Sequence, residues 1–198
     1  MQNKKKQKQS DKIIRNRYVF TALFASLIAV SSFFIIPLPG GIPLVLKNLF
    51  VVLSGAVLGS FYGGIAAIIF LIAGIIGIPV FVIPGGPGAF LTPLGGYLAG
   101  YFFGSLASGL ISGLPGINEK TSNPAIIIRL AIANFAGFIL ILLPGALYLM
   151  LLNSMSFKAA ILVGVVPFIP GDLLKFVISV PLALKLRPIA ARYINPEP

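Results

Sequence analysis

Apolar stretches of about 20 residues, the helical length that crosses a hydrocarbon core of roughly 30 Å, recur along nearly the whole chain. A soluble globule needs polar surface to coat it, yet of 198 residues 58% are hydrophobic and 10% are charged, with a mean hydropathy of +1.03. Lipid is therefore the expected solvent for most of the molecule. The net charge of +11 does not point to nucleic acid. Lys4, Lys5, Lys6, Lys8, Lys12, Arg15 and Arg17 precede the first apolar run, and the other bases lie mostly at segment ends, where membrane topology accounts for them.

Gly and Pro clusters punctuate six expected spans: Tyr18 to Ile36, Leu44 to Gly59, Gly63 to Val82, Pro93 to Leu114, Pro124 to Leu152 and Ala159 to Leu186. The fold class is thus an all-α membrane bundle of six helices, with a basic segment at 1–17, a membrane domain at 18–190 and a tail at 191–198. An even number of crossings returns both termini to one side. If that side is cytoplasmic, twelve bases lie inside and two, Lys47 and Lys158, lie outside, so the positive-inside rule favours cytoplasmic termini. A basic start before an apolar helix also resembles a signal peptide. The first span, running past Val30 into Phe33, Phe34, Ile35 and Ile36, is longer than a usual apolar core of about 7–15 residues, so its retention is expected.

Several kinds of chemistry are excluded. The chain has no Cys and no His, and its four acids are Asp11, Glu119, Asp172 and Glu197. Thiolate or zinc sites, cysteine nucleophiles and histidine bases cannot be built from this set, and no metal or cofactor is expected. No G-x-x-x-x-G-K-[ST] run is present, so the chain does not hydrolyse ATP through a P-loop. Pumping energy must come from a partner or an ion gradient.

Two interruptions stand out. The external segment Ile83 to Thr92, Ile-Pro-Gly-Gly-Pro-Gly-Ala-Phe-Leu-Thr, reads either as a folded cap or as an ordinary helix connection. The last span is broken at Pro167-Phe168-Ile169-Pro170-Gly171, and Asp172 opens a new half-helix with Lys175 on the same face. Charges inside a span are costly and usually functional, although Asp172 can also cap the helix and pair with Lys175. One carboxylate and one ammonium suit a small ligand with N–H groups at one end and an anion at the other. Tyr97, Phe81 and Phe90 can supply apolar walls, and Asn134, a buried amide in the fifth span, needs a partner of its own. The small residues Ala22, Ala25, Ser26 and Ala29 form a smooth stripe on the first helix, fit for another subunit or for internal packing.

Four runs, in order and spread over nearly the whole chain, carry a resemblance: Pro37-Leu38-Pro39-Gly40-Gly41-Ile42-Pro43-Leu44; Gly77-Ile78-Pro79-Val80-Phe81; Gly85-Gly86-Pro87-Gly88 with Pro93-Leu94-Gly95-Gly96-Tyr97-Leu98-Ala99-Gly100; and Pro167 through Lys175. Together they resemble the BioY family, the biotin-specific S-components of energy-coupling factor (ECF) transporters. The resemblance implies a compact six-helix subunit of a bacterial cell membrane that captures biotin near the outer face. It also implies power from an EcfT-type membrane subunit and paired ATPases, with Ala22, Ala25 and Ala29 docking on that subunit. By the same resemblance Asp172 accepts from ureido N–H groups, Lys175 meets the valerate carboxylate or a ureido oxygen, and Tyr97 and Asn134 are further contacts. Two residues depart from the family, which often has Thr at Leu94 and Gln at Lys47. Lys47 adds a cation near the outer face that either helps an anionic ligand or snorkels to headgroups. A self-sufficient secondary transporter or channel is the competing reading, although one Asp and one Lys are thin provision for ion coupling. An intramembrane enzyme lacks the groups it would need.

Overall fold

The structure, a computed structural model, describes residues 2–37, 43–81 and 85–195. Over these residues the chain is helical apart from one short antiparallel ribbon, Ile35–Pro37 (β1) paired with Pro43–Val45 (β2). The helices are α1 (Gln2–Ser31), α2 (Lys47–Ile75), α3 (Gly95–Ser112), α4 (Pro124–Leu152), α5 (Phe157–Gly164) and α6 (Ile169–Ile194), with 3-10 turns at Pro87–Leu91 and Val166–Phe168. Four stretches are long and apolar enough to cross a membrane: Gln7–Ser31, Lys47–Ile75, Pro124–Leu152 and Phe157–Ile194.

α2 is not one straight rod. Gly59 has φ 80° and ψ 173°, a left-handed conformation open to glycine at little cost. Ser54 Oγ lies 3.4 Å from the Gly63 carbonyl, and a Cβ built on Gly63 would fall 2.6 Å from Cα of Gly55. In a continuous helix, residues eight apart are separated by about 12 Å. The chain therefore reverses at Gly59, so 47–58 and 60–75 form two tightly packed arms. Absence of side chains is what allows it. A Cβ on Gly55 would overlap the Ser105 carbonyl oxygen of α3, the helix held between α2 and α4.

The core has two levels. One, around Phe24, Leu53, Leu130, Ala183 and Ala190, lies toward the start of α1, the start of α4 and the end of α6. The other, around Ile28, Phe70, Phe81, Tyr101 and Phe138, lies toward the opposite end. At the first end Arg17 Nε donates to the Ile194 carbonyl at 2.7 Å, which brings the two terminal helices together. Arg187, with 0% exposure, is the largest fully buried side chain there. It donates to the carbonyls of Ala56 (2.5 Å), Gly113 (3.1 Å), Ser112 (3.2 Å) and Leu114 (3.2 Å). It also grips Glu119 through Nε at 2.7 Å and Nη2 at 2.9 Å. One guanidinium thus satisfies orphan carbonyls at two helix ends and neutralises their dipoles.

Several expected boundaries move. α1 stops at Ser31, where Ser31 and Ser32 both donate to the Ile28 carbonyl, and 35–37 form a strand, so the first helix does not reach Ile36. The next helix starts at Lys47 rather than Leu44, and its second arm ends at Ile75 rather than Val82, just before Gly77 with φ 94°. The break in the last span lies at Val165 to Phe168, and Pro170 and Gly171 already belong to the first turn of α6. Proline fits there because an N–H in the first turn has no helical partner to lose.

Candidate ligand-binding site

The end opposite Arg187 gathers the intramembrane charges. α6 starts at Ile169 with Pro170 in its first turn, which sets Asp172 and Lys175 one turn apart and facing inward. They form an ion pair, Lys175 Nζ to Asp172 Oδ1, and are only 6% and 4% exposed. Lys175 also donates to the Val45 carbonyl at 3.2 Å, tying α6 to the end of β2. Neither carboxylate oxygen has a hydrogen-bond partner among the described residues, so beyond the ion pair Asp172 keeps acceptor capacity in a place where water is scarce.

Lys47, the first residue of α2, is 5% exposed, with Nζ 5.3 Å from the centre of the Tyr101 ring. It is close enough to Lys175 for the two like charges to repel. Tyr101 packs edge-on against Phe70 at 6.0 Å, and Phe70 against Phe81 at 5.4 Å. Ala89 and Phe90, in the 3-10 turn Pro87–Leu91, complete this apolar wall. Residues 85–92 therefore form a cap, held to α2 by the Gly86 N–H donating to the Gly74 carbonyl at 2.7 Å. Ile83 and Pro84 of that segment, and Leu38 to Ile42 of the first run, lie outside the described residues.

Tyr97 stands one turn from Tyr101 on α3. Its hydroxyl donates to the Gly164 carbonyl at 2.5 Å and its ring meets Phe168 at 5.9 Å, so it braces the α5 to α6 break behind Asp172. Asn134 is placed differently. Its amide donates to Ser179 Oγ at 2.8 Å and accepts from Ser108 Oγ at 3.3 Å, which makes it a clasp between α3, α4 and α6 with both ends engaged. The structure thus brings Asp172, Lys175, Lys47, Tyr97 and the Phe90 cap to one end, and sets Asn134 deeper, beside Ser179.

The small-residue stripe divides. Ala22 and Ser26 face outward, Ala29 is half-buried, and Ala25 is buried in the core beside Phe24. Ala25 thus takes the internal-packing role that the stripe also allowed, in a core cluster shared with residues of α2 and α6. Sequence reasoning also missed Tyr101. The signal was its spacing of four from Tyr97, which puts two phenols on one face of α3.

A match to the BioY family spans residues 2–192. This chain belongs to the BioY family. Its relatives include the biotin transporter BioY of Thermotoga maritima, 34% identical over 83% of this chain and 92% of that protein. The biotin transporter BioY of Lactococcus lactis subsp. cremoris is 30% identical over 74% of this chain and 76% of its own. A solved structure of the S-component for biotin from an ECF-type ABC transporter superposes with a TM-score of 0.72 at 28% identity, over 94% of each chain. The BioY chain therefore has an S-component fold and belongs among transporters rather than enzymes.

Proposed function

We propose that this chain is the biotin-capturing S-component of an ECF-type uptake system, a multi-pass protein of a bacterial cell membrane. The observation that carries the reading is Asp172: a buried carboxylate, ion-paired to Lys175, with lone pairs left for N–H donors. Biotin offers two ureido N–H groups, a thioether ring and a carboxylate. Asp172, paired with Lys175, accepts from the ureido edge, Tyr101, Phe70, Phe81 and Phe90 flank the bicyclic body, and positive charge at this end of the bundle suits the carboxylate. Charge-assisted hydrogen bonds in a water-poor site are about twice as strong as neutral ones, which suits tight capture of a scarce solute.

The reversal at Gly59 supports six crossings, with 47–58 and 60–75 as separate arms and α3 as a further span. The basic N-terminal segment 1–17, the membrane domain 18–190 and the tail 191–198 follow from that count. Arg17, Arg129 and Arg187 share one end with both terminal helices, whereas Lys47 and Lys158 lie at the other, which supports cytoplasmic termini and a site toward the outer face. Energy comes from partners, an EcfT-type subunit and ATPases, and Ala22 with Ser26 on the open face of α1 offers a smooth place for the former.

The test is binding by the purified chain alone. Biotin should bind in detergent with no ion gradient, and the chain alone in sealed vesicles should not accumulate it when sodium or proton gradients are imposed. Gradient-driven accumulation would favour a secondary transporter instead.

A further inference from the structure

We propose that Lys47, and not Lys175, is the residue that holds the carboxylate of the ligand. The inference rests on the reading of this end of the bundle as a biotin site and assigns one half of that ligand to a side chain. Lys175 is already committed, since its ammonium reaches both Asp172 and the Val45 carbonyl. Lys47 is not. It is as deeply buried, yet its ammonium has no hydrogen-bond acceptor among the described residues and only the face of Tyr101 beneath it. A cation over an aromatic ring is held in place without spending any of its three N–H donors.

The electrostatics of the cluster point the same way. Lys47 and Lys175 set against Asp172 leave one uncompensated positive charge, and Lys175 repels Lys47. A surplus buried charge is costly unless an anion arrives. Lys47 also begins α2, a helix start that no side chain caps, so the positive end of the helix dipole adds positive potential at the same place. The result is one monoanion subsite of Lys47 over Tyr101, carried by α2 and α3, whereas the acceptor at Asp172 is carried by α6. A ligand with N–H groups at one end and a carboxylate at the other spans the two.

The experiment compares biotin with its neutral primary amide, by equilibrium binding to the folded, detergent-purified full chain. The wild-type protein should prefer biotin by about tenfold to a hundredfold, the worth of a hydrogen bond between charged groups. Lys47→Gln should lose that preference by weakening biotin while leaving the amide within about threefold, and Lys47→Arg should restore it. Lys175→Gln should weaken both ligands alike and keep the ratio. An unchanged ratio in Lys47→Gln, as expected if Lys47 served a lipid phosphate, or a ratio lost in Lys175→Gln instead, would overturn the assignment. Should Lys47→Gln not fold, the wild-type ratio and Lys175→Gln still decide it. Failure of the wild-type chain to bind biotin at all would sink the broader reading rather than this one.

Discussion

Replacing Arg187 by methionine should cost this protein much of its stability while leaving ligand capture almost untouched. The guanidinium serves four carbonyls and both oxygens of Glu119, and Glu119 is itself nearly buried, with a side chain 9% exposed. Breaking a buried pair by removing one partner costs about 3–5 kcal/mol, because the other charge stays behind without compensation. The second partner of Glu119, Arg129 at 3.0 Å, is 45% exposed and recovers little of that. At roughly 2–4 °C per kcal/mol for a chain of this size, the thermal midpoint falls by about 6–20 °C. Arg187→Lys should recover only part of it, since an ammonium cannot reach two helix ends and a carboxylate at once. With no Trp and no Cys in the chain, loss of the folded monomer on heating is best followed by circular dichroism and size exclusion in detergent. Arg187 lies fifteen residues along α6 from Asp172, about 22 Å of helix, so biotin affinity of the folded fraction should stay within about threefold. A midpoint within 2 °C of wild type would refute the reasoning, which expects about 6 °C at the least.

Other outcomes follow from the same packing. Gly55→Val should prevent the two arms of α2 and α3 from closing, and should be seen as loss of folded protein rather than as weaker binding by a folded one. Ala22→Leu, on the open face of α1, should leave biotin binding intact and abolish uptake in cells, whereas Ala25→Leu should lose both because it overpacks the core by about 1–3 kcal/mol. Equal loss in the two variants would remove Ala22 from the docking face. Reporter fusions after Pro198 and near Ser154 should give opposite sidedness, the first cytoplasmic, and an external C-terminus would overturn six crossings.

Much of the bundle was legible because lipid imposes length and hydropathy on each span, and because Gly59, Pro124 and Pro170 mark turns or helix starts in their own chemistry. Asp172 and Lys175 were legible as charges where few are tolerated. What escaped depends on which way a side chain faces. Arg187 counts toward topology in the sequence, yet it is the buried staple of one end. Lys47 reads equally as a headgroup contact or a ligand contact in the sequence, where its burial over Tyr101 does not show. Ala22, Ala25 and Ala29 are alike as letters, and only the helical rotation of α1 against α2 and α6 separates the open one from the buried one. The ribbon at 35–37 continues an apolar run, so hydropathy alone carried the first helix too far.

Whether Asp172 receives the N–H edge of biotin decides the binding site. Biotin should be titrated into the wild-type chain and into Asp172→Asn, both purified in detergent without partner subunits and verified as folded. Asp172→Asn removes a charged acceptor, worth about 1.5–3 kcal/mol, and should weaken binding by about tenfold to a hundredfold. Its effect on the neutral amide of biotin should be the same, since that ligand keeps the ureido ring. Wild-type affinity for biotin in Asp172→Asn would contradict the site and return the ion pair with Lys175 to a purely structural role.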